Sequence, residues 1–403
     1  MATETNRTLA VVWPRFGPYH LVRLEAASVR LASEGWKVLG VEVARTDREY
    51  AWAVVKGARQ FERVTLWQNR DYQDLRYDEL RREMARLLDD RQPDVIAING
   101  WRLDEARAAF RWALHNQRRI IIMSASTAMD ARRVFWREWI KRRLIRSCHA
   151  ALAGGSPQRR YLEQLGMCPE QIEVGYDVVD NDYFATRTRS VRADRAHISK
   201  ERGWPERSFL TCCRFLDVKN LFRLLDAYCL YRKAMAQPWG LVICGDGPLM
   251  PALRRYEMEH HIQGVVWPGF LQQEELPLVY GTADAFILPS LKDTWGLVVN
   301  EAMASGLPVI VSRRCGCAED LVQEGRNGYV IEPKDVAGLA CRMMEFSSDL
   351  VRCAAMGQES RRIISEWAPP RFADGMARCV QAAGRLPVKH GNALDGLVAR
   401  MIL

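Results

Sequence analysis

Two carboxylates near position 300 have the setting that most clearly indicates chemistry. Asp293 follows a short apolar run, and Glu301 lies eight positions further along in a segment that is otherwise apolar or small. This segment has the character of a helix buried on most sides, and a buried carboxylate must have partners or destabilise the fold. The vicinal hydroxyls of a ribose would satisfy Glu301. An internal arginine, the purely structural alternative, would do so as well.

The turn between the two acids is suited to an anion. Thr294, Trp295, Gly296 and Leu297 lead into the first turn of the predicted helix, where backbone N–H groups lack internal partners and the helix dipole attracts negative charge. Gly296 allows the backbone to approach a ligand closely. One ligand could therefore place a pyrophosphate on the turn, a ribose at Glu301 and a further sugar beside Asp293.

Strands and helices must position these residues, and the sequence predicts both. Short β-branched runs alternate with amphipathic helical segments along all 403 residues. This alternation indicates an α/β fold of doubly wound parallel sheets, and the length suits two such domains. Periodicity is weakest between Tyr176 and Pro205, where we place the domain boundary. Ligands of open α/β sheets bind at the carboxyl ends of the strands.

Composition limits the class of protein and its partners. Apolar residues make up 48% and charged residues 27%, and no apolar run reaches the roughly 18–20 residues that cross a bilayer. The N-terminus has no signal-peptide pattern, so we expect a cytoplasmic protein. The eleven cysteines include no C-x-x-C pair. They therefore predict buried, reduced thiols and no zinc site.

The formal net charge of +9 is concentrated in one segment. Residues 101–150 contain 12 Lys or Arg and only 4 Asp or Glu, most densely at 132–146, which predicts a basic amphipathic helix. One interpretation is a surface helix packed by an apolar stripe of Val134, Trp136, Ile140, Leu144 and Ile145. The other is a face for anionic phospholipids or a phosphate-bearing acceptor. Nucleic acid is disfavoured, because no helix-turn-helix, zinc or aromatic RNA-binding pattern accompanies the charge.

The stretch from Leu288 to Val309 resembles the signature of a known family. It contains two acids separated by seven residues and then Ala302-Met303-Ala304-Ser305-Gly306-Leu307-Pro308. This is similar to the retaining glycosyltransferases of family four (glycosyl transferases group 1), which have the two-domain GT-B fold. The resemblance implies that Glu301 binds the ribose of a nucleotide-sugar. Asp293 stands where the family usually has glutamate near the transferred sugar, which leaves the donor open.

Further segments extend the resemblance over about residues 208–335. Cys213-Arg214-Phe215-Leu216-Asp217-Val218-Lys219-Asn220 is similar to the loop whose Arg and Lys hold the donor diphosphate, which implies those roles for Arg214 and Lys219. Two fixed cations would neutralise charge on a departing nucleoside diphosphate, although an ordinary surface loop also carries such residues. Gly245 and Gly247 match a Gly-x-Gly-Pro-Leu turn, and Phe270 follows a strand near the donor base.

The first half resembles the family more loosely. The loop from Trp13 to His20 takes the place of a glycine-rich turn, where Gly17 can serve, and Arg15 and His20 are candidates for contacting donor phosphates or the acceptor. A packing or capping role is the alternative for both. The histidine that many members place after the strand predicted at Arg119–Met123 is absent from Ser124–Thr127.

The resemblance implies two Rossmann-like domains facing across a cleft. We expect an acceptor-binding domain at 1–185, completed by a C-terminal helix at 367–403, and a nucleotide-sugar-binding domain at 186–366.

Expected partners are a hexose-type donor and a glycan, lipid-linked or cell-envelope acceptor, with peripheral contact to an anionic membrane through 132–146. Asp180-Asn181-Asp182 spells a metal motif of another fold, but the two cations make a metal unnecessary, so we expect no metal and no cofactor. Alternatives are a sugar phosphorylase, a nucleotide-sugar epimerase or a catalytically silent scaffold of the same fold.

Overall fold

The computed structural model describes residues 7–48, 52–54 and 60–389, and it divides the chain into two compact units. The first runs to Val178 and resumes at Pro369, and the second is Val179–Ala368. This division lies a few residues before the 185/186 boundary predicted from the sequence. The end of the predicted 367–403 segment, from residue 390, lies outside the described residues.

The first unit is built on a seven-stranded sheet in which every strand pair is parallel. Its strands are β1 (Arg7–Trp13), β2 (Trp36–Thr46), β3 (Glu62–Asp71), β4 (Val95–Asn99), β5 (Arg119–Ser124), β6 (Ala150–Ala153) and β7 (Ile172–Val174), in the order β3-β2-β1-β4-β5-β6-β7. Its first helices are α1 (Pro18–Ala32), α2 (Tyr77–Arg91), α3 (Asp104–His115), α4 (Phe135–Ser147) and α5 (Ser156–Gln164). Strands such as β4 and β6 read as continuous apolar runs because helices cover both faces of the sheet.

The second unit has a six-stranded parallel sheet in the order β10-β9-β8-β11-β12-β13. Its strands are β8 (Ser208–Cys212), β9 (Gly240–Cys244), β10 (Val265–Gly269), β11 (Ala285–Leu288), β12 (Val309–Ser312) and β13 (Gly328–Ile331). Its helices are α6 (Asn181–Ala193), α7 (Arg195–Arg202), α8 (Leu221–Ala234), α9 (Met250–Glu259), α10 (Leu276–Thr282), α11 (Leu297–Ala304), α12 (Ala318–Leu321), α13 (Val336–Ser348) and α14 (Leu350–Ile364).

The polar stretch from Tyr176 to Pro205 is mostly helical. Helix α6 packs against α10 and α11, which assigns it to the second unit. The Asp180-Asn181-Asp182 triplet forms the start of this helix: the Asp180 carboxylate accepts a hydrogen bond from the Tyr183 N–H at 3.0 Å, and Asn181 Nδ2 donates to the Ile364 carbonyl at 2.7 Å. Within the described ranges, no group of three or more potential ligands is placed to hold a metal ion.

The last described helix, α15 (Pro369–Arg385), belongs to the first unit. It packs against α1 and the strands β5, β6 and β7. Phe372, Met376, Cys379 and Ala383 recur at helical spacing and are fully buried. Ion pairs at its edges join Arg378 to Glu173 and Arg30 to Asp374. The C-terminal segment therefore covers one face of the first sheet.

The predicted basic helix is α4, and its burial differs from the expected stripe. Ile140, Leu144 and Ile145 pack into the first unit as predicted, but Trp136 is 52% exposed. None of the helices in the described part of the chain combines the length and apolarity that crossing a bilayer requires.

Candidate active site

The residues of the second unit that the sequence predicts to bind or react lie at one edge of its sheet. All six strands are parallel, so their carboxyl ends lie together. The loop after β8 contains Arg214 and Lys219, the turn after β9 contains Gly245 and Gly247, and the segment between β11 and α11 contains Asp293 and Gly296. The sequence motifs, separated by up to about 80 positions, are therefore brought to one edge by the topology.

A short ion pair joins two of these loops. Lys219 Nζ lies 2.5 Å from Asp293 Oδ2, with the two side chains only 18% and 14% exposed. Burial lowers the pKa of Lys219, but the attraction and hydrogen bond of Asp293 outweigh burial, so the net pKa is raised and the ammonium stays charged. The structure thus sets a fixed cation and a fixed carboxylate side by side.

The backbone around Asp293 is held by the loop that follows β12. The Asp293 N–H donates to the Arg314 carbonyl at 3.1 Å, and the Gly316 N–H donates to the Asp293 carbonyl at 3.0 Å. Two thiols, Cys213 and Cys315, border the ion pair. Burial raises the pKa of Cys213 to about 12 and that of Cys315 further, so both stay protonated. They add no charge beside the carboxylate.

The turn before α11 has the predicted form. Gly296 is its N-cap with φ +101°, a left-handed conformation that favours glycine, and an added Cβ would lie 2.9 Å from Leu288 Cδ2. The Trp295 side chain is buried and donates from Nε1 to Asn300 Oδ1 at 2.9 Å, so its ring is structural. The amides of Gly296 and Leu297 have no acceptor among the described residues. This leaves donors at a helix N-terminus, as an oxyanion site requires.

Glu301 is buried on the second turn of α11, with 3% of its surface exposed. Tyr280 Oη, on α10, donates a hydrogen bond of 2.8 Å to Glu301 Oε2. A tyrosine hydroxyl thus fixes one oxygen of the carboxylate and offsets part of the cost of burying it. Tyr280 was not found from the sequence, because α10 reads there as an apolar core helix.

Gly245 and Gly247 face the loop after β8. An added Cβ would lie 1.9 Å from the Cys213 carbonyl oxygen at Gly245 and 2.7 Å from the Phe215 backbone at Gly247. The Phe215 N–H donates to the Asp246 carbonyl at 2.8 Å. Close packing of two loops therefore accounts for both glycines, and it positions the loop that contains Arg214, which is half-buried.

Two further residues that the sequence predicts to bind the sugar donor are accessible at the same edge. Phe270 follows β10 and is 40% exposed. Thr294 is exposed between Asp293 and the turn.

The candidates in the first unit have internal partners. Arg15 is 7% exposed and donates to the carbonyls of Arg45 and Trp52, at 2.8 and 2.5 Å. His20 Nδ1 accepts the Gly17 N–H at 2.9 Å and so caps α1, while burial lowers its pKa to about 3 and keeps it neutral. These contacts correspond to the packing and capping alternative. An added Cβ at Gly17 would make only an ordinary contact.

Solved structures with the same architecture define the class. The chain matches Anabaena Alr3699/HepE, solved in complex with UDP, with a TM-score of 0.68 and 15% identity over 93% of this chain and 100% of that one. This confirms the predicted GT-B fold of two Rossmann-like domains.

The family match is more specific. Residues 194–363, most of the second unit, match Glycosyl transferases group 1, which confirms the predicted resemblance of this unit to that family. Similar proteins include WcaL of Salmonella typhimurium, a putative colanic acid biosynthesis glycosyltransferase, at 32% identity over 193 residues, 46% of this chain and 44% of that protein. A GDP-mannose-dependent alpha-(1-6)-phosphatidylinositol monomannoside mannosyltransferase of Mycolicibacterium smegmatis is 29% identical over 192 residues, 45% and 49% of the two chains. The chain thus spans about half the length of the curated relatives it matches.

Proposed function

We propose that this protein transfers a hexose-type sugar from a nucleotide-diphosphate sugar to an acceptor hydroxyl, with retention of anomeric configuration. The proposal rests on the groups that meet at the carboxyl-end edge of the second sheet. These are a largely buried lysine paired with a carboxylate, two amides at a helix N-terminus that have no acceptor among the described residues, and a buried glutamate that accepts a hydrogen bond from a tyrosine. HepE, which shares the fold, is solved with UDP, which supports a nucleotide-bearing donor.

The proposed roles follow from this arrangement. Glu301 accepts hydrogen bonds from the ribose hydroxyls, and the amides of Gly296 and Leu297 with Arg214 and Lys219 bind the diphosphate. The bond between the anomeric carbon and the diphosphate oxygen breaks, and the acceptor oxygen bonds to that carbon on the same face. The acceptor proton passes to the departing phosphate. The cations stabilise the charge that develops on the diphosphate, without a metal or cofactor.

The acceptor is proposed to be a glycan, lipid-linked or cell-envelope intermediate, met at the face of an anionic membrane. One relative is named for colanic acid biosynthesis and another for a phosphatidylinositol mannoside, which supports this acceptor class. Helix α4 supports the membrane contact, because Phe135, Trp136 and Trp139 are 87%, 52% and 43% exposed on it. Arg142 and Arg146, two of its exposed arginines, form no side-chain ion pair with a described residue.

A donor screen tests this function. UDP-, GDP-, ADP- and TDP-sugars are incubated with the protein and candidate acceptors, and release of nucleoside diphosphate and linkage of the product are measured. We expect one donor class to raise the melting temperature and to give an α-linked product from an α-linked donor, with EDTA present. An inverted product rejects retention. Formation of an epimer or sugar phosphate from donor alone, or donor binding without transfer to any acceptor, identifies the epimerase, phosphorylase or silent alternative.

A further inference from the structure

A basic cavity of the first unit is separate from the site described above. It has a volume of about 370 Å³ and lies between the N-terminal part of α2 and the middle of α3. Its lining residues are Tyr77, Asp78, Arg81, Arg107 and Arg111. Because a water molecule occupies about 30 Å³, the cavity has room for a molecule larger than an inorganic ion.

Two packed helices present matching pairs of side chains to this cavity. Helices α2 and α3 pack against each other. Tyr77 and Arg81 are four residues apart on α2, and Arg107 and Arg111 are four apart on α3, so each pair lies on one face of its helix. The guanidinium of Arg107 lies 4.6 Å from the centre of the Tyr77 ring. The cavity is therefore a built surface of two helix faces.

The cations of the cavity outweigh the acids beside them. Arg107 pairs with Asp104 at 3.0 Å, whereas Arg81 lies 3.9 Å from Asp78, a carboxylate that is 82% exposed and strongly screened. Arg111 forms no hydrogen bond or ion pair with any residue that the structure describes. Three guanidinium groups around one cavity repel each other unless an anion lies between them.

A buried polar atom in the same place lacks a partner. Tyr77 Oη is inaccessible to solvent and has no hydrogen-bond partner among the described residues. Leaving such a hydroxyl unsatisfied destabilises a fold, whereas an oxyanion could accept its hydrogen. The arginine forks match the geometry of a phosphate or carboxylate.

We propose that this cavity binds an oxyanion, phosphate or carboxylate, carried on a sugar-sized molecule. Arg111 supplies the main contact, and Arg81 and Arg107 complete the cationic wall. The assignment of this anionic group to the acceptor rests on the proposed function and on the expectation, from the family resemblance, that the first unit binds the acceptor. The site itself depends only on the residues around the cavity.

Isothermal titration calorimetry on the full chain tests the site with glucose 6-phosphate, glucuronate and neutral glucose at constant ionic strength. We expect at least one anionic sugar to bind, and the dissociation constant to rise roughly 10- to 100-fold in Arg111→Gln, since a hydrogen bond to a charged group contributes about 1.5–3 kcal/mol. Arg111→Lys retains part of the affinity. The control is Arg86→Gln, which removes a 74% exposed arginine of the same helix α2. Binding of only glucose 6-phosphate, or of only glucuronate, identifies which oxyanion the cavity takes.

Equal affinities in Arg111→Gln and Arg86→Gln, or no binding of either anionic sugar to the unaltered protein, overturn the proposal. Anion binding confined to the diphosphate site of the second unit would give the equal result. Binding of a nucleotide-sugar is measured on the same samples. If the protein binds an anionic sugar but no nucleotide-sugar, the result contradicts the proposed function alone. If it binds a nucleotide-sugar but no anionic sugar, the result contradicts the proposed cavity site alone.

Discussion

Lys219 and Asp293 form the charged centre of the candidate site, and removing the cation affects both its charge and its geometry. Lys219→Gln leaves a largely buried carboxylate beside the proposed diphosphate site with less compensation. We expect kcat to fall roughly 10²- to 10³-fold, as when one electrostatic group of an active site is removed. Lys292→Gln, at an exposed lysine next to Asp293, is the control and should leave kcat unchanged. Rates of nucleoside diphosphate release measure both, and equal rates would contradict the assigned role.

Tyr280 is predicted to position Glu301. Tyr280→Phe removes the hydroxyl that donates to a buried carboxylate, so we expect a stability loss of about 1–3 kcal/mol and a higher KM for the donor. Tyr228→Phe also removes a buried hydroxyl, one that donates to the backbone of Trp239 and Gly264. Both variants should lose stability in urea unfolding, but only Tyr280→Phe should weaken donor binding. A similar donor KM in the two variants would show that Tyr280 is merely structural.

Glu105 gives the first unit a pH-dependent stability. Burial raises its pKa from 4.5 to about 7, against the opposing hydrogen bonds from Tyr72 and Asn99. Between those pH values the folded chain binds more protons than the unfolded chain, so stability falls as pH rises through this window. Glu105→Gln should therefore become more stable relative to the unaltered protein at pH 8 than at pH 5, by up to about 3 kcal/mol. Urea unfolding at the two pH values measures this, with exposed Glu170→Gln as the control.

The sequence could predict the acids at the site but not their partners. Asp293 and Glu301 stand out because a carboxylate in an apolar segment needs an explanation, and the parallel sheet places them at the expected edge. Tyr280 has no such signal, since a tyrosine in an apolar helix is usual core. Arg15 and His20 attracted attention as polar residues after the first strand, but their partners are backbone groups that no side-chain pattern reveals.

At the scale of elements, periodicity predicted the helix at 132–146 but not which aromatic side chains it buries. Trp136 was placed on the apolar stripe by spacing alone, whereas the packed stripe consists of Ile140, Leu144 and Ile145. The stretch from Tyr176 to Pro205 looked irregular because charged residues mask the buried positions Phe184, Thr188 and Val191 of α6. Which positions of a helix are buried depends on the helices that pack against it, and the sequence alone does not identify those neighbours.

Helix α4 carries a prediction about membranes. The double change Phe135→Ser and Trp136→Ser removes two exposed aromatic side chains, and we expect at least a tenfold loss of binding to vesicles containing anionic lipid. Co-sedimentation with phosphatidylcholine vesicles, with and without 30% phosphatidylglycerol (about one lipid in three, enough for a negative surface potential), measures it. Added salt should weaken the binding. Val351→Ser, at an 82% exposed apolar residue of α14, is the control. Equal sedimentation of the three proteins would contradict the proposed contact.

At the scale of the whole molecule, the chain completes its first unit with its last described helix. The sequence of the second unit is continuous, from Val179 to Ala368, whereas the first unit needs α15 from beyond that point. Alternating strands and helices predicted the two sheets, because a period of buried residues is local information. The return of α15 to the first unit came from the family resemblance, because its contacts with α1 and β6 are distant in sequence.

This arrangement predicts how a truncated chain behaves. A chain ending at Ala368 loses α15 and exposes the sheet face that Phe372, Met376 and Val380 cover. Burying one such side chain stabilises by about 1.5–3 kcal/mol, so the first unit should unfold or melt at a much lower temperature. The second unit loses none of its own elements and should still bind the donor nucleotide while transfer is abolished. Calorimetry resolves the two transitions, and titration with nucleoside diphosphate measures binding. A chain ending at Lys389 is the control and should retain both transitions. Loss of nucleotide binding on truncation at Ala368 would show that the second unit does not hold the donor by itself.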